Sequence, residues 1–503
     1  SESSMGDFAA ARKSNETAID EMSSSASKEF GAPIVEIASL KMQQALVEKA
    51  DGHYERALVL VNSAIKSLQS FVETGGNHNV TKELAVAHSI QSQIHELTGE
   101  FVSAAGSTQN AIKQWQNLAK ENPDSVVFAD GLATSQIDSA NIRRAAGDDP
   151  LDDYEKAVAT FQRLVELRPG IPRYRFNLAS ALSGMGWTQN RLLKTEAAQE
   201  TAVQAVNTLL FLSDRFPEDA RFPLGEVSAR LVLAEVLRDR GELDLAVGIL
   251  EQASETLSRE DISPDLPQSR ERYGELLLLF GQVQAALGDS PLALDSLRQS
   301  AEVLSELAAS ETGLPRHGDG AAWAYYHLSV ELTKTQDDDG ARQAVEEAIR
   351  IRSQLPERAN WLDSFAWLLL HSPIEDLRDA ARAESLSANA TKLAASNPRF
   401  LQTRSLAELR SEKLEQAAAT HSKAKALAGG DHPEHQFLSA IVAFRQSRKQ
   451  DATDLFLKAA ASMDVAAPAN PRLKTIRDEA AAVTGVAVPV RQDGATDATL
   501  PTN

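Results

Sequence analysis

One signature recurs eleven times along this 503-residue chain: a turn residue, often Gly, a bulky residue two later, Ala three further on, and a second small residue seven beyond that Ala. The clearest copies are Gly52, Tyr54, Ala57, Val61, Ala64; Gly99, Phe101, Ala104, Thr108, Ala111; Gly241, Leu243, Ala246, Leu250, Ala253; and Gly288, Ser290, Ala293, Leu297, Ser300. Small residues seven apart share one face of a helix, where they let a neighbouring helix approach closely. The anchoring alanines are Ala11, Ala57, Ala104, Ala157, Ala198, Ala246, Ala293, Ala341, Ala383, Ala417 and Ala452. Upstream of them, at a spacing read as twelve residues, stand Ala45, Ser92, Ala140, Gly186, Ala234, Gly281, Ser329, Ala366, Ser405 and Ala440. Each unit is therefore expected to be two packed helices, A then B. Pro123, Pro169, Pro217, Pro356 and Pro398 follow helix B, which cannot continue through a residue lacking a backbone N–H.

This spacing resembles the tetratricopeptide repeat over nearly the whole chain. The last three steps are close to that repeat's period of about 34 residues; earlier ones run near 46, as longer helices and joins would give. The resemblance implies an all-α, right-handed α-solenoid of about ten helical hairpins plus a C-terminal capping helix, in which each repeat touches only its neighbours. Aromatics are few at 5%, and no β-rich stretch bounded by turn signals opposes the reading. The expected organisation is a partial repeat and linker over residues 1–31, a solenoid over 32–466, a capping helix over 467–486 and a disordered tail over 487–503. Gly6, Phe8, Ala11 and Ala18 carry a helix B whose helix A is missing. The expectation is that its alanine face is unburied and that the chain is the C-terminal part of something longer.

A narrower resemblance lies in FAWLLL (365–370), LRDAARAESLSANATKLAASNP (377–398), GGDHPEHQFLSAIVAF (429–444), NPRLKTIRDEAAAVTG (470–485) and, earlier, RPGIPRYRFNLASALSGMGW (168–187). These segments resemble the C-terminal repeat region of large bacterial serine/threonine protein kinases. That resemblance implies a kinase domain, followed by a membrane helix, before Ser1. Arg404 and Ser405 stand where that family prefers Leu-Gly, Ser372 where Cys is common, and His435 and Gln436 in place of aromatics. Looser packing or a different ligand is expected there.

The formal net charge of −20 argues against a phosphate-binding surface and against nucleic acid as a partner. It favours neutral or basic proteins. With no Cys, disulfides, thiolate nucleophiles and Cys-based zinc sites are excluded together. No run approaches the roughly 18 to 20 apolar residues of a membrane helix, so no membrane insertion is expected; cytoplasmic and extracytoplasmic locations stay open.

Phosphoryl transfer needs a phosphate loop and metal-holding acids around the phosphate, and none is present. Gly318-Asp319-Gly320 reads as an interhelix turn. Asp337, Asp338, Asp339 and Gly340 lack the alternating ligands of a calcium loop and read as the start of a helix B. His432 and His435, with Asp431 and Glu434, have one metal-compatible spacing, but Asp431 reads better as an N-cap before Pro433. No catalytic, cofactor or metal residue is assigned.

What remains is binding. In this repeat class helix A lines the concave face, and that register directs Trp187, Asn190, Glu235, Arg238, Gln282, Trp323, Tyr326, Trp367 and Leu370 into a groove. Aromatics anchor interfaces because they bury large areas at modest entropy cost. The expected function is a non-catalytic scaffold that holds a peptide or partner protein in this groove, as the regulatory or recruiting region of a longer protein. The alternative is part of a serine/threonine kinase polypeptide whose catalytic domain lies upstream.

Overall fold

The computed structural model describes residues 8–25, 32–73, 77–260, 262–310, 313–428 and 432–488, and all regular structure among them is helical. Ten helices of type A are α2 (Ala32–Ala50), α4 (His78–Thr98), α6 (Val126–Ala146), α8 (Pro172–Arg191), α10 (Arg221–Arg240), α12 (Pro267–Leu287), α14 (Pro315–Lys334), α16 (Ala359–His371), α18 (Pro398–Arg410) and α20 (Pro433–Arg445). Each pairs with the next helix, of type B: α3 (Tyr54–Glu73), α5 (Phe101–Glu121), α7 (Leu151–Leu167), α9 (Thr195–Arg215), α11 (Leu243–Leu257), α13 (Ser290–Ala309), α15 (Asp338–Gln354), α17 (Ala380–Leu393), α19 (Leu414–Ala428) and α21 (Lys449–Ala466). The ten pairs are numbered as hairpins 1 to 10 in chain order. A B-type helix, α1 (Phe8–Ser25), precedes them and α22 (Pro471–Thr484) follows. This is the all-α, tetratricopeptide-like solenoid that the spacing predicts. Gly6, Asp431 and residues 489–503 lie outside the described residues.

The small residues form the contact they were expected to form. From Ala57 to Ala452, every anchoring alanine is fully enclosed. In helix A the facing residue lies under the anchor's own carbonyl: the Ser92 hydroxyl donates to the Ala104 oxygen at 3.0 Å, and the Ser405 hydroxyl to the Ala417 oxygen at 2.8 Å. At Gly186 and Gly281 an added Cβ would stand 3.3 and 3.2 Å from the oxygens of Ala198 and Ala293. Across the hairpins only Gly, Ala or Ser stands between two backbones at this contact. The spacing of twelve residues holds in eight hairpins; from Ala140 to Ala157 and from Ala366 to Ala383 it is seventeen. Those two turns are longer: residues 147–150 join α6 to α7, and a stretch holding the short 3-10 turn Glu375–Leu377 joins α16 to α17. The long early period has the expected origin, since α4, α6 and α12 run to 21 residues whereas α16, α18 and α20 have 13.

Several local readings change. The acidic run does start a helix B, with the Asp337 carboxylate accepting from the Gly340 N–H at 3.0 Å. Gly318, Asp319 and Gly320 are not a turn; they lie inside α14, where Asp319 pairs with Arg352. Pro398 opens α18 instead of closing α17, and His432, with its ring accepting from the Glu434 N–H at 3.3 Å, is the N-cap of α20. The alanine face of α1 is not left open: Ala11 is buried, and Arg12 reaches Glu48 at 2.8 Å and Asp51 at 2.6 Å on the α2 side. Ser405 is fully buried with its hydroxyl on the Ala417 carbonyl, so packing at this position is not loose. In hairpin 10, buried His435 and Gln436 leave a ring nitrogen and both amide atoms without partners among the described residues.

Nine of the ten A-to-B turns contain one residue in the left-handed region. Gly supplies it at positions 52, 99, 147, 241 and 288, but Leu193, Gln336, Glu412 and Ser447 carry a Cβ there. A non-glycine residue in this region costs about 1–2 kcal/mol. Gln336→Gly should therefore raise stability by about 1 kcal/mol in a denaturant melt, because Gln336 is exposed and forfeits no packing. Ala246→Leu should cost about 1–3 kcal/mol by forcing the A–B contact apart, and Ala381→Leu, at an exposed position on α17, should cost almost nothing. Equal effects of the two leucines would refute the assigned register.

Candidate functional site: the interior of the superhelix

The solenoid curls until its second turn rests on its first. The starts of α16, α18 and α22 and the end of α21 meet the A-to-B turn regions of early hairpins. The Arg358 guanidinium, just before α16, lies 4.7 Å from the Phe101 ring of hairpin 2. Asn397, the N-cap of α18, donates to the Gly147 carbonyl of hairpin 3, where the Phe400 ring occupies the space a Cβ would need. At the end of hairpin 10, the Ala466 carbonyl accepts from Thr195 of hairpin 4 at 2.9 Å. Asn470, the N-cap of α22, donates to the Asp239 carboxylate of hairpin 5 at 2.8 Å, and the Ala469 N–H to the Asp239 carbonyl at 3.1 Å. Hairpin 8 sits on 2, 9 on 3, 10 on 4, and α22, the start of an eleventh pair, on 5: six hairpins complete a turn.

The A helices thus face an enclosed interior. Asn190, Glu235, Arg238 and Gln282 form one band across α8, α10 and α12: Asn190 donates to Asp239 at 3.0 Å, Arg238 pairs with Asp239 at 2.6 Å, Gln282 accepts from Arg238, and Glu235 lies 3.7 Å from Arg238. Trp187 stands beside this band, half-buried, with the guanidinia of Arg144 and Arg191 at 5.2 and 5.6 Å from its ring centre. Among the described residues neither arginine forms an ion pair. Trp323 packs edge-on to Tyr326 at 5.6 Å and parallel to His327 at 5.8 Å.

The remaining aromatic of the groove register is covered by the chain itself. Arg472 of α22 stacks on Trp367 at 3.6 Å and pairs with Glu434 at 2.8 Å, while Glu479 pairs with His371 at 3.1 Å and Arg410 at 2.7 Å. Tyr326, Trp367 and Leu370 are each less than a tenth exposed, and Leu370 lines a cleft of about 350 Å³ at the turn edge, beside Arg378, Arg410 and Arg445. The groove is therefore filled by α22 over hairpins 8 to 10 and remains open at Trp187, Glu235, Gln282 and Trp323.

Sequence reasoning missed Lys49, Glu96, Asp138, Arg144, Arg191 and Arg358, which share the interior. Burial, with Glu96 nearby, pushes the Asp138 carboxyl up to about 7 against the Gln93 hydrogen bond and the Lys49 charge. Burial also raises Glu96, opposed by Arg144, Arg316, Arg358 and Lys49, and raises Glu235, opposed by Arg238. Lys49, Glu96 and Arg144 stand four beyond Ala45, Ser92 and Ala140, the small residues of α2, α4 and α6, as Asn190 stands four beyond Gly186, so the register that found Asn190 contained their signal. Nothing local marked Arg358, which reaches the interior only because the second turn folds over the first. Among the described residues no group of acidic and histidine side chains is arranged to hold a metal ion, and His421 and His435 are pulled down to about 4, chiefly by burial.

No family model matches the chain, and no curated protein matches it in sequence. Solved structures similar to it include apo RapI, with 12% identity, a TM-score of 0.43 and coverage of 63% of this chain and 97% of that one. A Rap protein complexed with competence and sporulation factor has 13% identity, a TM-score of 0.43 and coverage of 78% and 98%. A tetratricopeptide repeat protein from Parabacteroides merdae has 14% identity, a TM-score of 0.34 and coverage of 64% and 94%.

The raised Asp138 carboxyl has a consequence for stability. A carboxyl held above its unfolded value binds its proton more tightly when folded, so its contribution is most favourable below about pH 4 and is lost as pH rises through about 7. Asp138→Asn should raise the melting temperature at pH 8.5 and change it little at pH 4. A shift of the same size at both pH values would show that Asp138 is already ionised in the folded interior.

Proposed function

We propose that this chain is a non-catalytic interaction scaffold that holds a segment of a partner protein or peptide inside its superhelix. The observation that carries the reading is Trp187 flanked by Arg144 and Arg191: a half-exposed aromatic face and two guanidinia that form no ion pair among the described residues. Desolvated aromatic and arginine side chains are the residue types that dominate binding energy at interfaces. Glu235, Gln282 and Trp323 extend the same open surface, whereas Asn190 and Arg238 are held in the Asp239 network and act by fixing its shape. Enclosure by the second turn favours an extended segment over a globular domain as the occupant. The net charge of −20 favours the approach of a neutral or basic partner, with acidic side chains suited to the single point between Arg144 and Arg191. Service to a serine/threonine kinase on the same polypeptide rests on the sequence motifs at 168–187 and in the C-terminal third alone.

Peptides selected from a random displayed library on the intact protein test the reading. Trp187→Ala should weaken their binding by about tenfold or more, while the melting temperature stays within a few degrees. Tyr326→Ala, in contrast, should lower stability, because its ring is buried against Trp323. Selected peptides that bind Trp187→Ala undiminished would place the partner elsewhere.

A further inference from the structure

A second site lies on the outer layer, away from the interior. Between α9 and α11, with α10 as its floor, there is a cleft of about 300 Å³. Its floor is an ion pair: Glu226 and Arg230, one helical turn apart, meet at 2.9 Å and are 2% and 6% exposed. Hairpins on either side show that the fold does not require this pair. At the same two register positions α8 has Leu178 and Leu182, and α12 has Tyr273 and Leu277. A buried pair of charges is frequently no more stabilising than apolar residues of similar volume, so its presence here calls for another cause.

The pair is also incompletely satisfied. One carboxylate oxygen of Glu226 accepts from Arg230 and from Thr256 at 3.2 Å; the other, Oε2, has no partner. Arg230 uses its terminal nitrogens on Glu226 and on Gln252 at 2.7 Å, and its buried Nε–H has no acceptor. Glu226 and Arg230 both line the cleft, each a charge more than nine-tenths buried with one hydrogen-bonding atom that no described group meets. Glu255 and Arg259 repeat the two signs at the rim, and Leu210 forms an apolar wall. The lining is balanced between two acids and two arginines, which suits a ligand that is neutral overall but carries separated charges.

We propose that this cleft binds a free amino acid, with its ammonium group at Glu226, its carboxylate at Arg230 and its side chain against Leu210. The volume is at the lower end of small-molecule sites and accommodates one such molecule. Placed between two consecutive B helices and their shared A helix, an occupant would fix the angle between hairpins 4 and 5, next to Trp187 and Glu235 on the opposite side.

The test uses the intact protein and the twenty common amino acids, screened singly by saturation-transfer NMR, with calorimetry on the strongest. At least one should bind saturably at or below about 1 mM. The amine and the acid that keep the selected amino acid's side chain but only one of its two charges, isoamylamine and 4-methylpentanoate in the case of leucine, should bind at least tenfold more weakly than that amino acid. The double variant Glu226→Leu/Arg230→Leu, which copies the leucines of α8, should melt at the same or a higher temperature and lose the binding at least tenfold. Should that variant fail to fold, Leu210→Trp fills the cleft from its wall without touching the ion pair and should have the same effect on binding. Trp187→Ala should leave it unchanged, which separates this site from the interior. Absence of saturable binding by every amino acid, equal binding of the single-charge analogues, or binding that survives filling of the cleft would each overturn the proposal.

Discussion

The structure depends on the distance between two backbones. Where helix A crosses helix B, a Ser hydroxyl bonds directly to the carbonyl of the anchoring alanine, or a Gly leaves only about the width of an atom before it. Dispersion and burial per contact are modest, but the same approach is repeated through the hairpins, and each one fixes the orientation of the next. The hydrophobic core is correspondingly divided: one cluster runs from α6 to α12, another from α14 to α22, and a third covers α2 to α4. Leu193, in the turn of hairpin 4, packs against the second cluster, so the divisions are bridged across superhelical turns as well as along the chain.

Repetition alone would produce an open spiral. The spiral closes because the ends of early hairpins meet the starts of late ones, through interactions peculiar to single residues: Asn397 on Gly147, Thr195 on Ala466, and Asn470 on Asp239. Each hydrogen bond contributes on the order of 1 kcal/mol, and several in register hold two turns together. Closure brings Lys49, Glu96 and Asp138 from the first turn near Arg316 and Arg358 from the second. It also gives α22 two roles, as the cap that continues the stack on α20 and as the occupant of the groove over Trp367.

The two candidate binding regions differ physically. The interior around Trp187 is broad, partly open and lined by arginines that form no close ion pair among the described residues, which suits a long ligand read at several points. The outer cleft at Glu226 and Arg230 is small and charge-balanced, and its unmet hydrogen-bonding atoms are buried. Because α10 contributes Glu235 and Arg238 to one face and Glu226 and Arg230 to another, a single rigid helix touches both.

The sequence by itself determined the hairpins. A small residue every seventh position on helix B, and its counterpart on helix A, can satisfy close helix packing in only one register, so Ala246, Ala293 and their equivalents were legible without coordinates. The same register identified the groove-facing positions, since side-chain direction in a helix is fixed by position. Legibility ended where contacts are non-local. That α1 packs on α2, that Trp367 is covered by Arg472, and that Arg358 and Glu96 lie within electrostatic reach depend on the rise and curvature accumulated over six hairpins. Small angular differences at each A–B contact add up along a solenoid, and no local pattern records their sum. Tertiary structure alone decided which part of the groove remains open and which part the chain fills itself.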